Sequence, residues 1–508
     1  MNPYFNSIIE DINNNKPVIN ISDSNLTNED IIKIADLIKD NNTIKVLNLN
    51  SNYKKSLSKN INRYNYHLKI TKSEIMTQYI DNIKNKISLK GFIYLFNSLK
   101  YNNSINTLIL DNRSYKKNTY NNIYINSLSE MLLINKSISK LKIKLDVILS
   151  DETFNKFCDA LKNHNDFYSL KIYFENFKID TYYNVFLESL KNQKYLQSLT
   201  LYSIKSNKVI DLLKNLEYIY NLKIIINDNN YLLNKSIFET LEHKEYLTKL
   251  RIYSQYYKYS IEFNSLSKLI SINKNLIYLK INGHHSRSDV NDAFIQSIIN
   301  SKLQTLKIIS CGLQIDDIIS IVQNNNTINN LNVSFNNIKD GYKKLFHVLI
   351  QNTNIIKLNV SGNEIKNLSD LLSLNKLIEN NNCIQKMNLQ DCINLENSDN
   401  LKIFDALSLN NYIHTFKISS FLVLKESIND ELINKICNLI KNNKILNKLI
   451  FRDDMIFLND IHCNKILIMN FLTDEYYNKI NEALKYNNSL IYFGWNDLIY
   501  KEHFINKV

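Results

Sequence analysis

The sequence predicts an α/β solenoid, in which short strands lie side by side in one parallel sheet and a helix returns each strand to the next. Three observations predict it. Leu331, Val333, Asn336 and Ile338 recur as Leu358, Val360, Asn363 and Ile365, a shift of 27 residues, with a helix-like stretch between. The same strand pattern then recurs, more or less degraded, along nearly the whole chain. Finally, 508 residues exceed what a single core fills, yet 6 glycines and 2 prolines leave almost no linker material. A continuous stack of small units satisfies all three.

The strand signature is an apolar residue, a variable one, a second apolar one, and Asn or Cys three later. Its first apolar position falls at Ile19, Leu47, Leu108, Leu141, Leu170, Leu199, Leu222, Leu250, Leu279, Leu306, Leu331, Leu358, Met387, Phe416, Leu449 and Phe493. From Leu108 to Leu449 the steps run between 23 and 33 residues.

Strand alternation puts Leu358 and Val360 on one face, with Lys357, Asn359 and Ser361 on the other. Asn363 stands where the chain turns inward, and a buried amide there can satisfy backbone groups of its own loop and of a neighbouring one. Cys311 and Cys392 fill the same slot in "LKIISCGL" and "MNLQDCIN", which reads as core packing rather than reactive thiols. The helix that follows, for example "DGYKKLFHVLIQN", sets Leu345, Phe346 and Leu349 at helical spacing toward the strands.

A strand plus a full helix in 27 to 29 residues resembles the ribonuclease-inhibitor type of leucine-rich repeat, most specifically over 300–395 and in "NLTNEDIIKIADLIKDNNTIKVLNLNSN". The resemblance implies a leucine-rich repeat horseshoe with the parallel sheet on the concave face and helices on the convex face. Between 100 and 300 the Asn slot holds Arg113, Asp146, Glu175 and Ile204, so loop packing departs from the pattern there. Residues 1–508 read as one solenoid of about sixteen repeats. Residues 1–18 form an N-terminal cap, 51–84 an irregular insertion or degenerate repeat, and 452–508 degenerate repeats with a C-terminal cap.

The 62 Lys and Arg against 49 Asp and Glu give a net charge of +13, which points to an acidic partner only where the charge is concentrated. It is concentrated in one column. The residue between the two apolar strand positions runs Lys142, Lys171, Thr200, Lys223, Arg251, Lys280 and Lys307, then Asn332, Asn359, Asn388 and Lys417. Two residues on, Tyr173, Tyr202 and Tyr253 interleave with the cations, and Lys140, Lys249, Lys357 and Lys386 precede the first apolar position. The binding surface expected from this pattern is the concave sheet between 140 and 310: Lys142, Lys171, Lys223, Arg251, Lys280, Lys307, Tyr173, Tyr202 and Tyr253. The bland reading of the same column is Lys stems covering the sheet while solvated ammonium heads keep it from sticking to other proteins.

The expected function is a non-enzymatic scaffold for protein–protein interaction that binds an acidic protein, as proteins resembling the ribonuclease-inhibitor class bind partners in this concavity. Single-stranded nucleic acid, with Lys on phosphates and Tyr under bases, is the alternative. The resemblance also opens a GTPase-regulating or ubiquitin-pathway role, but Arg113 and Arg287 have nothing in their context to select them. Cys158, with Asp159 and His164 nearby, lies inside a repeat helix. Adjacent His284 and His285 do not chelate one metal easily, and His462 with Cys463 lacks further spaced ligands, so no catalytic residue, metal or cofactor is expected. The six cysteines make no C-x-x-C pair, and neither a signal peptide nor a spanning segment is evident. A monomer in the reducing cytoplasm, away from membranes, is the expectation.

Overall fold

The computed structural model describes residues 3–21, 26–49, 89–111, 118–145, 149–164, 166–174, 179–201, 207–226, 231–254, 261–283, 290–338, 340–365, 367–393, 398–419, 429–451, 474–487, 489–490, 492–495 and 498–499. The expected insertion at 51–84 lies outside them, as does most of the expected C-terminal cap. The chain divides into two compact units, Met1–Leu247 and Thr248–Val508.

In the first unit the order is α1 (Pro3–Asn13), β1 (Val18–Asn20), α2 (Asn28–Lys39), β2 (Val46–Asn48), α3 (Leu89–Leu99), β3 (Thr107–Asp111), α4 (Asn118–Ile134) and β4 (Lys140–Leu145). It continues with α5 (Asp151–Asn163), β5 (Ser169–Phe174), α6 (Ile179–Ser189), β6 (Ser198–Leu201), α7 (Lys208–Asn215), β7 (Asn221–Ile226) and α8 (Tyr231–Leu241). The strands β1 to β7 pair in sequence order, all parallel.

The second unit runs β8 (Lys249–Ser254), α9 (Phe263–Ile272), β9 (Tyr278–Asn282), α10 (Asp292–Ile299), β10 (Thr305–Ile309), α11 (Ile315–Asn324), β11 (Asn330–Asn332), α12 (Tyr342–Gln351), β12 (Lys357–Asn359) and α13 (Leu368–Asn380). After β13 (Lys386–Gln390) come a 3-10 turn at Ser398–Leu401, α14 (Lys402–Leu409), β14 (Thr415–Ser419), α15 (Asp430–Asn442), β15 (Lys448–Phe451), α16 (Asp474–Lys485), β16 (Tyr492–Trp495) and β17 (Leu498–Ile499). Strands β8 to β16 pair parallel in order, and β17 turns back antiparallel on β16. Each unit is thus a repeat solenoid of parallel strands alternating with helices.

The strand register follows the sequence pattern. Within the first unit Ile19, Leu47, Leu108, Leu141, Leu170, Leu199 and Leu222 are successive register partners. Leu250, Leu279, Leu306, Leu331, Leu358, Met387, Phe416, Leu449 and Phe493 are the same in the second. A slip of one residue would turn every side chain to the other face, so this column fixes which residues enter the core. Leu250, Ile252, Leu279, Ile281, Leu306 and Ile308 are all wholly buried, and each contributes about 2 kcal/mol by leaving water. Leu345, Phe346 and Leu349 of α12 are buried as their spacing requires.

Two amide ladders close the ends of the units. After the strands, the Asn336 Oδ1 accepts from the backbone N–H of Cys311 (2.9 Å) and Leu313 (3.2 Å), while its Nδ2 donates to Ile308 O and Val333 O, both at 2.8 Å. Asn363 repeats the arrangement one unit on: its Oδ1 accepts from Asn336 N (2.8 Å) and its Nδ2 donates to Val333 O (2.9 Å) and Val360 O (2.8 Å). Each amide therefore serves its own loop and the preceding one. In the same slot the Cys392 thiol donates to Val360 O at 3.2 Å, and burial pushes the thiols of Cys311 and Cys392 up to about 12. The turn residues before this slot, Ser310, Phe335, Gly362 and Asp391, all take left-handed backbone angles. A Cβ on Gly362 would also strike the Phe335 ring, so that position is closed to other residues.

The second ladder lies at the helix ends and explains the recurrent "NNTI" text. Asn443 accepts at Oδ1 from Ile445 N (2.9 Å) and Leu446 N (2.7 Å), and donates from Nδ2 to Leu407 O (2.7 Å) and Asn410 O (3.0 Å) of the preceding repeat. Asn102, Asn135, Asn325, Asn381 and Asn487 repeat the pattern. Ser104 and Ser137 add hydroxyl bonds to the same preceding turn. These amides supply donors to the helix-end carbonyls, some of which, such as Leu407 O, also accept a cap N–H. In the first unit the ladder changes chemistry: Gln193 donates to Leu161 O (2.7 Å) and His164 O (2.8 Å), and the Lys244 ammonium donates to Lys214 O and Leu216 O, both at 3.0 Å.

Candidate functional site

The cation column is aligned by strand register within each unit. In the first, Lys142 of β4 faces Lys171 of β5, Lys171 faces Thr200 of β6, and Thr200 faces Lys223 of β7. Thr200 is buried and interrupts the charge there. In the second, Arg251, Lys280 and Lys307 are direct register partners on β8, β9 and β10. All six cations are half-buried between wholly covered aliphatic neighbours, so they lie on the sheet face turned away from the helices.

Three like charges at strand separation repel by roughly 1 kcal/mol per neighbouring pair in water. Tyrosine rings set how they are arranged. Arg251 and Lys307 both lean onto the ring of Tyr278 in the intervening strand, at 5.0 and 5.8 Å from its centroid. Lys280 leans the other way, onto Tyr253 at 4.9 Å. The cations alternate to opposite sides of the row, which separates them, and each ring contact returns about 0.5–1 kcal/mol. Burial, aided by Lys307 and Arg251, holds the Lys280 ammonium below the usual lysine pKa, although Tyr278 opposes the shift. Burial raises the Tyr253 hydroxyl. Lys280 and Lys307 form no ion pair among the described residues.

Of the expected tyrosines, Tyr253 takes part as just described. Tyr173 pairs in register with Lys144, and Tyr202 lies outside the described residues. Tyr278 was not singled out by the sequence pattern, although it stands in the column just before the first apolar position. In the first unit Lys140 of that same column lies 5.1 Å from the ring centroid of Tyr168.

The other chemical candidates separate cleanly. Cys158 is buried in α5 and its thiol is pushed up to about 12 by burial, so it is protonated at neutral pH. His164 is wholly buried, stacked on Phe167 at 4.0 Å, and burial with the nearby Lys136 charge lowers it to about 4. Arg113, His284, His285, Arg287, His462 and Cys463 lie outside the described residues. Among the described residues no cluster of His, Cys, Asp and Glu could hold a metal, and no helix is long and apolar enough to cross a membrane.

No family model matches the chain, and no curated protein matches it. Among solved structures, one titled "Leiomodin-1 Actin-Binding Site 2 (ABS2)" is similar over 37% of this chain and 88% of its own length, at 14% identity and a TM-score of 0.25. A likeness at that level carries no functional inference. What the geometry defines is a strand–helix repeat solenoid with a cation and tyrosine row on the open face of its second unit.

Proposed function

We propose that the chain is a leucine-rich repeat protein of the ribonuclease-inhibitor-like type, a non-enzymatic scaffold that binds an acidic protein through the Lys, Arg and Tyr side chains of its open sheet face. The observation that carries this reading is the row of Arg251, Lys280 and Lys307. Three cations stand in register, Lys280 is partly desolvated, and Tyr rings offset part of the repulsion among them. Carboxylates of a partner would relieve that repulsion on binding, and half-buried Arg and Tyr side chains are common interface anchors. The row's second half, Asn332, Asn359 and Asn388, is neutral, so the positive charge a partner has to match is confined to Arg251, Lys280 and Lys307.

Single-stranded nucleic acid is less well supported. Base stacking needs open aromatic faces, whereas Tyr253 and Tyr278 carry cations on theirs. No observation favours GTPase regulation or a ubiquitin-pathway role. Free, mostly buried thiols at Cys158, Cys311, Cys383, Cys392 and Cys437 suit a reducing compartment, and we place the protein in the cytoplasm on that basis. Fluorescence anisotropy with labelled poly-glutamate and with random single-stranded DNA, each titrated across salt, tests the choice. The reading expects binding of poly-glutamate and no binding of DNA at physiological salt. Tight DNA binding with a steep linear fall of log K against log salt would replace it with the nucleic-acid reading.

A further inference from the structure

The cation row does not stop at Lys307. In register beyond it come Asn332, Asn359 and Asn388, then Lys417. In each of the three asparagines the side-chain oxygen accepts from the backbone N–H two residues on. Asn332 Oδ1 accepts from Ser334 N at 3.0 Å, Asn359 Oδ1 from Ser361 N at 2.9 Å, and Asn388 Oδ1 from Gln390 N at 3.1 Å. That N–H also fixes which way each amide is turned, since the reverse orientation would set two donors against each other. The Nδ2 groups make no hydrogen bond among the described residues, and the three side chains are half-buried on the open sheet face. This is not a general property of asparagines in the column: in the first unit Asn48 spends its Nδ2 on Asn20 Oδ1 at 3.1 Å.

Arg and Lys have no acceptor atoms, and each of these amides keeps two N–H donors while one of its oxygen's two lone pairs is already used, so donors outnumber acceptors along the row. We infer that Arg251, Lys280, Lys307, Asn332, Asn359 and Asn388 form one donor-rich track with a charged half and a neutral half, and that it takes a protein segment presenting carboxylates to the first half and uncharged acceptors, such as amide or hydroxyl oxygens, to the second. This rests on the acidic-protein reading above and specifies the partner's chemistry along the row. A uniformly acidic segment would leave carboxylates facing neutral amides, and a segment ending in donors would face donors.

The test is a cycle between two labelled peptides and four forms of the full chain. One peptide is a run of Glu, and the other is the same run followed by a run of Gln. The wild-type chain is expected to bind the Glu–Gln peptide about tenfold more tightly than the Glu peptide, the size expected for a few net hydrogen bonds. Joint Asn332→Asp, Asn359→Asp and Asn388→Asp substitution keeps the acceptor for each backbone N–H but removes every outward donor, and the Gln increment is expected to vanish. Asn→Ser at the same sites keeps an acceptor and restores a hydroxyl donor, so part of the increment should return. An increment that survives in the Asp form overturns the inference, while weaker Glu binding after Arg251→Glu, Lys280→Glu and Lys307→Glu would leave the acidic-protein reading standing. Unweakened binding of both peptides by that charge-reversed form would overturn the reading and the inference together.

Discussion

Arg251 and Lys307, two strands apart, share the ring of Tyr278 on the strand between them. The pairing decides how the row stores its charge: two cations lean to one side, and Lys280 leans to the other against Tyr253. Replacing Tyr278 by Leu keeps an apolar body but removes the ring face that both cations use. The expected result is a loss of about 1 kcal/mol in stability at low salt, shrinking as salt screens the repulsion. Urea unfolding at two ionic strengths reads it, and a salt-independent loss would show that Tyr278 acts through packing alone.

Lys280 titrates in a direction that can be tested. Its folded pKa lies below 10.5, chiefly through burial, so the unfolded chain holds that proton more tightly than the folded one. The protonated side chain therefore costs stability at neutral pH, and the cost disappears as pH rises from the lowered value toward 10.5. Lys280→Met is expected to raise the melting temperature at pH 7, with the gain shrinking toward pH 10.5. A gain that stays constant across that range would contradict the assignment.

His164 occupies a helix-end position where other repeats place asparagine, and neither ring nitrogen has a hydrogen-bond partner among the described residues. Lowered to about 4 from 6.5, it stabilises the folded state fully only above pH 6.5, and that stability drains away as pH falls toward 4. The span corresponds to roughly 3 kcal/mol. His164→Asn is expected to flatten stability over this interval and to raise it by about 1 kcal/mol at pH 7, by restoring the amide bonds of the ladder. Melting curves at pH 4.5 and 7 would show the change, and an unchanged acid dependence would rule His164 out as its source.

The helix-end amides predict a sharp contrast between neighbours. Asn443→Ala leaves the Asn410 carbonyl and two N–H groups without partners in a buried site and takes one of two donors from Leu407 O, at a cost of about 3 kcal/mol. Asn442→Ala, on the exposed helix end next to it, is expected to lie within about 0.5 kcal/mol of wild type. Equal effects of the two would mean that the ladder adds little.

These positions also mark what the sequence made legible. The strand register was readable because its signal is local: two aliphatics flanking one variable residue recur wherever a strand forms, and each such residue meets its counterpart in the next strand. The Asn363 slot was readable for the same reason. The helix-end ladder was visible as repeated "NNTI" text, but its role was not, because the bonds run to carbonyls about thirty residues away, such as Leu407 O for Asn443. The contacts of Tyr278 and of the Asn332, Asn359 and Asn388 oxygens are not legible in the sequence because they depend on side-chain orientation. Composition marked those residues as polar or aromatic without saying which atom faces outward.

The most direct measurement is anisotropy of labelled poly-glutamate against the full chain carrying Arg251→Glu, Lys280→Glu and Lys307→Glu, with melting temperature recorded in parallel. At least a tenfold loss of affinity is expected, roughly what reversing close charges across an interface produces, with a melting temperature equal to or above wild type. Wild-type affinity in a folded variant would contradict it.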